Sequence, residues 1–490
     1  MCRVYTWVGR VTINILPDDV LLTIFYCIRR TLLDGRVDQL WHLFWRRLVH
    51  VCPRWRAIVF ASPNSLYLRL VLCPTKNTRM DLLDIWPPLP IIITNMASGF
   101  MPKPFDFDVA IVHRNRVCGI HLCLTISQLQ LLASMMQESF PVLTHLKLES
   151  LIGKGPDLPL PDEFLGGSAP RLQSLGLNFI PFPALPKLLL SATDLVRLVL
   201  WGIPDSGYIA PEAILTGLAV LANLKFLTIG FEFSVFFPDQ EHRHPPLLTR
   251  SVLPALAHFE FRGASRYLDA LVSQIDAPLL ASIYYIFPDQ YIFDTSHLAQ
   301  FFRRTTRFQA LNEAHVYFDF CNVLVNSFPP TQPLDEKSGL RISYGGDTDH
   351  WDILHVAQFL TSLFPSIYIV EHLYFYGYQL SHAKRQWRED GDVDEMDWLE
   401  VFHPFTTVKK FYICEESAQR IAPALQELPD ESMVSLLPAL ESLFLECPRP
   451  SGPVQEVFDR FVSARRRFGH TVTVSHWEGD PRRLRDLRGF

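Results

Sequence analysis

Apolar residues recur at helical spacing from Val20 through Leu21, Ile24 and Phe25 to Ile28, directly after Leu16 and Pro17. Pro17 can open a helix without wasting a backbone donor, and Asp18 and Asp19 put carboxylates in the first turn, where the helix dipole favours them. The spacing predicts one helix with a broad apolar stripe. A second helical run carries Leu40, Leu43, Phe44 and Leu48 and leads into Val49, Val51 and Cys52; Pro53 then opens a third helix with Trp55, Ile58 and Val59. Three short helices cannot bury so much apolar surface among themselves, so the pattern predicts a partner.

Beyond this segment the period changes. A strand signal of the form Leu-x-x-Leu-x-Leu, with apolar substitutions, returns eleven times. It begins at Val117-Ile120-Leu122, Leu143-Leu146-Leu148, Leu172-Leu175-Leu177, Leu195-Leu198-Leu200 and Leu224-Leu227-Ile229. It continues at Leu256-Phe259-Phe261, Leu280-Ile283-Tyr285, Leu311-Ala314-Val316, Val370-Leu373-Phe375, Val408-Phe411-Ile413 and Leu440-Leu443-Leu445. Most copies lie 23 to 32 residues apart, near the period of leucine-rich repeats. Helical runs intervene at 126–138, 211–221 and 267–275. One strand and one helix cannot bury their own apolar faces, so neighbours must stack into an α/β solenoid, with parallel strands on the concave face and helices on the convex face.

Interruptions divide the chain. The expected organisation is a helical module over 12–63, a linker with the first strands over 64–116, an irregular repeat region over 117–478 and a polar tail over 479–490. Pro-, Gly- and charge-rich stretches at 232–250, 326–350 and 381–404 read as loop insertions. A helical run at 454–468 and an alternating strand at 471–476 suit a terminal cap.

Alternation along the repeat strands predicts which side chains leave the core: the positions between the leucines face the concave surface. The binding candidates there are His145, Lys147, Arg197, Trp201, His258, Arg262, Tyr284, Tyr317, Tyr374, Tyr376 and Tyr412, with Phe226, Glu260 and Phe444 on the same face. Aromatic residues and arginine are the types that anchor protein interfaces, although aromatic residues also simply suit strands, and an insertion could fold over them.

Composition narrows the function classes. The chain of 490 residues is 48% hydrophobic and 20% charged, a folded composition, and its net charge of −6 provides no general field for nucleic-acid phosphates. Arginines at 465–467, 482, 483, 485 and 488 are diluted by Glu478, Asp480 and Asp486. Nine cysteines without a secretory segment read as free thiols in the cytoplasm or nucleus, and no apolar run is long enough to span a membrane. No catalytic motif is present, so no enzyme and no cofactor are expected. Cys118, His121 and Cys123 lack a second ligand pair, and the sequence from Asp390 has Glu395 where a calcium loop needs glycine, so no metal is expected. His242 and His244, or Asp347, Asp349, His350 and Asp352, read as solvated loop residues.

Leu16-Pro17, Val20-Leu21, Ile24-Phe25, Val51-Cys52 and Trp55-Arg56 together resemble an F-box, the last two pairs matching its Val-Cys-x-x-Trp-Arg element. The gap over 29–47 is longer than the usual F-box linker, and Pro53 stands where a basic residue is common. With RLVHVCPRWR, LLDIWPPLPIII at 82–93 and LGGSAPRLQSLGL at 165–177, most of the chain resembles a large group of fungal F-box proteins with leucine-rich-repeat tails. The resemblance implies docking on a Skp-type adaptor through Leu16, Pro17, Val20, Leu21, Ile24, Phe25 and Val49, with Cys52 and Trp55 as module core. It further implies a link through that adaptor to a cullin scaffold, and an SCF-type ubiquitin ligase in which the repeats bind a protein substrate. The alternative is a repeat scaffold without ubiquitin machinery, its first helices serving as a cap.

Overall fold

The last two apolar positions of each of the eleven strand signals fall on a β-strand of the computed structural model. The structure describes residues 13–34, 45–72, 83, 86–95, 112–151, 159–232, 250–288, 296–310, 312–318, 322–327, 339–345, 357–358, 360–361, 370–377, 397–446 and 452–478. Most of the three expected insertions and all of the tail at 479–490 lie outside these residues, as do His242, His244, Asp347, Asp349, His350, Asp352, Asp390 and Glu395. The chain divides into two compact units, one of residues 1–151 with 163–171, the other of 152–162 with 172–490. The division falls within the repeat region.

In the first unit the helices Asp18–Asp34 and Pro53–Ala61 precede β1 (Leu70–Leu72), β2 (Ile91–Thr94), β3 (Val117–Leu124) and β4 (His145–Ser150). These four strands pair in sequence order, all parallel. The connection from β3 to β4 is the helix Ile126–Met135, started by a reciprocal cap: Gln128 N–H donates to Thr125 Oγ1 and Thr125 N–H to Gln128 Oε1. Buried Asn95 extends the pairing of β2 with β3, since its amide donates to Cys123 O at 2.6 Å and accepts from Cys123 N–H at 2.9 Å.

The second unit holds β5 (Ser174–Asn178), β6 (Arg197–Ile203), β7 (Phe226–Phe231), β8 (Ser251–Val252), β9 (His258–Arg262), β10 (Ile275–Asp276) and β11 (Ser282–Pro288). It continues with β12 (Glu313–Phe318), β13 (Asn322–Ser327), β14 (Gly339–Gly345), β15 (His372–Gly377), β16 (Lys410–Ile413), β17 (Ser442–Glu446) and β18 (Thr473–Trp477). Its main sheet runs β5-β6-β7-β9-β11-β14-β13-β12-β15-β16-β17-β18, while β8 and β10 form a separate parallel pair. Leucine positions such as Leu198, Leu227, Phe259 and Ile283 share one register row and are buried, each aliphatic side chain contributing about 1.5–3 kcal/mol.

Helices cover this leucine face. The side chains of Phe411 and Leu443 meet Ile421 and Leu425 of the helix Glu415–Glu427 and Phe458 and Phe461 of the helix Pro453–Arg467 around one small apolar cavity. Adjacent helices are also tied end to side: buried Asp269, on the helix Ser265–Ser273, accepts from the backbone N–H groups of His297 and Leu298 at 2.9 Å each, satisfying the first turn of Ser296–Arg304.

One departure from the sequence expectation changes the sheet. The stretch 326–350 reads as a loop, yet Asn322–Ser327 and Gly339–Gly345 are strands, and β13 pairs antiparallel with both β12 and β14. Val323, Leu324 and Val325 are a continuous apolar run, while Leu340 and Ile342 alternate with Arg341 and Ser343, and all five apolar residues are buried. A short apolar run on one strand and a period-2 signal on the other are present but lack the leucine frame, and Pro329, Pro330 and Pro333 between them mask both.

Candidate functional surfaces

In the first unit one helix presents two neighbouring stripes. Leu21 and Phe25 point inward and are 0% and 1% exposed, and Phe25 meets the Trp55 ring edge-on at 4.9 Å. Val20 and Ile24, one turn apart, stay 38% and 36% exposed, and Val51 is 58% exposed. Both stripes satisfy helical spacing, so the sequence merged them. The adaptor-contact expectation for Leu21, Phe25 and Val49 is therefore corrected: all three are consumed by the module's own core. Pro17 is exposed, and Leu16 is half-buried with its carbonyl held by Arg54 at 2.6 Å. Arg54 also grips Asp18 Oδ1 with two nitrogens, at 2.6 and 2.8 Å, tying the first helix to the third. Cys52 does more than fill space, because its Sγ caps the third helix by accepting from Trp55 N–H at 3.4 Å. On β4, Lys147 is exposed 3.8 Å from Glu149, and half-buried His145 has Nδ1 2.8 Å from Thr144 Oγ1.

The second unit gathers more of the expected surface. Opposite the leucine face, Arg197, Phe226, His258 and Ser282 lie in one register row across β6, β7, β9 and β11. The Arg197 guanidinium sits 4.1 Å over the Phe226 ring, which stacks on His258 at 4.6 Å and 3°. The next row holds Thr228, Glu260, Tyr284 and Arg341. Arg197, Phe226, His258, Glu260, Tyr284 and Arg341 line a cavity of about 270 Å³. Burial pushes the Glu260 carboxyl upward from its ordinary range, and a hydrogen bond from Thr228 Oγ1 at 3.3 Å pulls partly the other way. Burial likewise raises the Tyr284 phenol. Arg341 approaches the Tyr284 ring at 5.7 Å and donates to Asn326 Oδ1 at 3.1 Å. Further along the strands, Arg262 lies 5.8 Å from the Trp201 ring.

The C-terminal tyrosines form a ladder. His315, Tyr374, Tyr412 and Phe444, on β12, β15, β16 and β17, stack at 4.2, 4.2 and 4.3 Å with rings within 9° of parallel. Tyr317 stacks on Tyr376 at 4.5 Å. Trp477 of β18 lies against Tyr374, Tyr376 and Tyr412 at 5.4–6.0 Å. Tyr317 and Tyr376 are buried, at 5% and 2% exposure, in a cluster with Leu324 and Cys414. The expectation that these two present an open binding face is corrected. Tyr374 and Tyr412 keep half-exposed rings.

Sequence reasoning overlooked His315, Arg341, Asn326 and Trp477. His315 occupies the alternating position between Ala314 and Val316, so its signal was available; Arg341 and Asn326 belong to the unexpected strand pair; Trp477 continues the alternation of 471–476 by one residue. The expected basic C-terminal run also changes character, since Arg465 is fully buried and Arg467 pairs with Asp430.

Among the described residues, donor atoms of Cys414, Glu416 and Glu446 lie within 4.8 Å of one another. The Cys414 thiol is engaged by Gly377 N–H at 3.1 Å and lies 3.4 Å from Ser417 Oγ, and burial raises its pKa, which favours the protonated thiol over a thiolate ligand. Cys27, Cys52, Cys118, Cys123 and Cys414 are free thiols. No helix among the described residues is long and apolar enough to cross a membrane. No family model matches the chain, and no curated protein matches it.

Proposed function

We propose that this protein is a non-catalytic substrate-recognition subunit of a cullin-RING ubiquitin ligase. Its N-terminal helices act as an F-box that docks on a Skp-type adaptor, and its strand-helix units act as a leucine-rich-repeat solenoid that holds a protein target, in the cytoplasm or nucleus. One observation carries this reading. The module already buries Leu21, Phe25 and Val49 for its own stability, yet among the described residues Val20, Ile24 and Val51 stay exposed as apolar surface beside them. Positioning a target beside a charged conjugating enzyme raises its effective concentration without catalytic residues in this chain.

Co-purification with a Skp-type adaptor tests the proposal. The wild-type chain should retain the adaptor, and Val20→Asp with Ile24→Asp should abolish retention while the protein stays folded. Absence of retention by the wild-type chain, or retention unaffected by both substitutions, refutes it. A scaffold with no ubiquitin link is the second reading, favoured by the grouping of the helices with β1 to β4 in one compact unit, as an end cap would be. For a cap, Val20→Asp and Ile24→Asp would leave every partner of the protein bound.

A further inference from the structure

Two guanidinium groups on the non-leucine face of the second unit are braced by aromatic rings but meet no carboxylate among the described residues. Arg197 is exposed, and its guanidinium lies over the Phe226 ring at 4.1 Å. Arg262, two strands away on β9, lies 5.8 Å from Trp201, and its Nε is buried without a hydrogen bond among the described residues. Trp201 can reach toward it because the strand between them carries Gly230, where a Cβ would come within 2.8 Å of the indole. Stacking covers the flat faces of a guanidinium and leaves its N–H edge free. That edge is the part that matches a carboxylate with two parallel hydrogen bonds.

We propose that this face docks an extended acidic segment of a protein target, with one Asp or Glu side chain on Arg197 and a second on Arg262. The proposal rests on reading this face as the target-binding surface. Local charge carries it: the chain as a whole is at −6, yet the described lining of the cavity sets Arg197 and Arg341 against Glu260, with Arg262 two residues beyond Glu260 on β9. Arg197 shares a register row with His258, and Arg262 lies four residues further along β9. With about 3.3 Å per residue and about 4.8 Å between strands, the two anchors are roughly 16 Å apart, a span bracketed by about four and about six residues of extended peptide, the separations that leave both side chains on one face. Glu260 stands between them and repels a third acid, so the preferred segment is acidic at two spaced positions and neutral between.

Fluorescence anisotropy with the full chain tests this, using labelled peptides of Gly, Ser and Val in which a Glu pair is spaced three to six residues apart, and their Gln counterparts. The Glu pair at four- or six-residue spacing should bind about tenfold tighter than its Gln counterpart and weaken with added salt. Arg197→Gln with Arg262→Gln should reduce it to the Gln level with an unchanged melting temperature, and Glu260→Gln should tighten it. Equal binding of Glu and Gln peptides, equal binding by wild type and the double variant, or full displacement by inorganic phosphate as readily as by unlabelled peptide overturns the proposal. Adaptor co-purification on the same proteins separates the two claims. Arginine-dependent peptide binding without adaptor retention sinks only the ligase reading, and retention without peptide discrimination sinks only this one.

Discussion

His315 and Tyr374 lie face to face on neighbouring strands, ring centroids 4.2 Å apart and 5° from parallel. Tyr374 repeats the relationship with Tyr412 on its other side and also carries Trp477, so one side chain joins three strands and the sheet's last strand. Tyr374→Ala is expected to cost about 3 kcal/mol, from lost burial plus stacking, and Tyr374→Phe less than about 1 kcal/mol. Urea denaturation of the two variants measures both; equal costs would show that the ladder contributes nothing through its rings.

Arg465 is buried and donates through Nη1 to the carbonyls of Met433, Val434 and Leu436 at 3.3, 3.1 and 2.8 Å, and through Nη2 to those of Leu437 and Pro438 at 3.3 Å. Arg465→Met would strand these acceptors and is expected to cost about 3 kcal/mol or more in equilibrium unfolding. Arg465→Lys should recover little of it, since an ammonium lacks the planar fork that reaches both carbonyl groups.

The two stripes on the first helix should separate stability from docking. Leu21→Ala is expected to lose about 2–5 kcal/mol of module stability, while Val20→Ala stays within about 0.5 kcal/mol. Thermal melts resolve the first effect. Adaptor co-purification should register Val20 and Ile24 changes that the melts do not.

Glu260 gives a pH signature. Burial raises its carboxyl above the unfolded value, so the neutral form fits the fold better; its contribution is present below the unfolded carboxyl range and is lost as pH rises through the folded pKa. Glu260→Gln, which cannot ionise, should therefore gain stability relative to wild type as pH rises above the ordinary carboxyl range. A difference in urea midpoints that is flat, or that runs the other way, contradicts the burial argument.

The leucine frame made the strands legible because every copy repeats the same burial problem. It made their outward face legible too: Arg197, Trp201, His258, Arg262 and Tyr284 all leave the core as alternation requires. What alternation cannot supply is a cover. Tyr317 and Tyr376 point outward by register, yet they are buried: Leu324 comes back beside Tyr317 on the antiparallel β13, a strand outside the leucine frame, and Trp477 packs on the cluster from β18, far off in the chain. Likewise a helical stripe five residues wide does not reveal which edge meets its own module; Leu21 and Val20 differ only by one step of rotation.

The antiparallel placement of β13 has a consequence for synthesis. The strand beside β11 is β14, whose last residue, Gly345, comes nearly sixty residues after Pro288. At translation rates of about 5–20 residues per second, β11 would wait roughly 3–12 s on the ribosome with a bare hydrogen-bonding edge. Chaperone demand during production should therefore peak while residues 289–345 emerge, and a ribosomal pause placed there should raise the insoluble fraction more than one placed after residue 377.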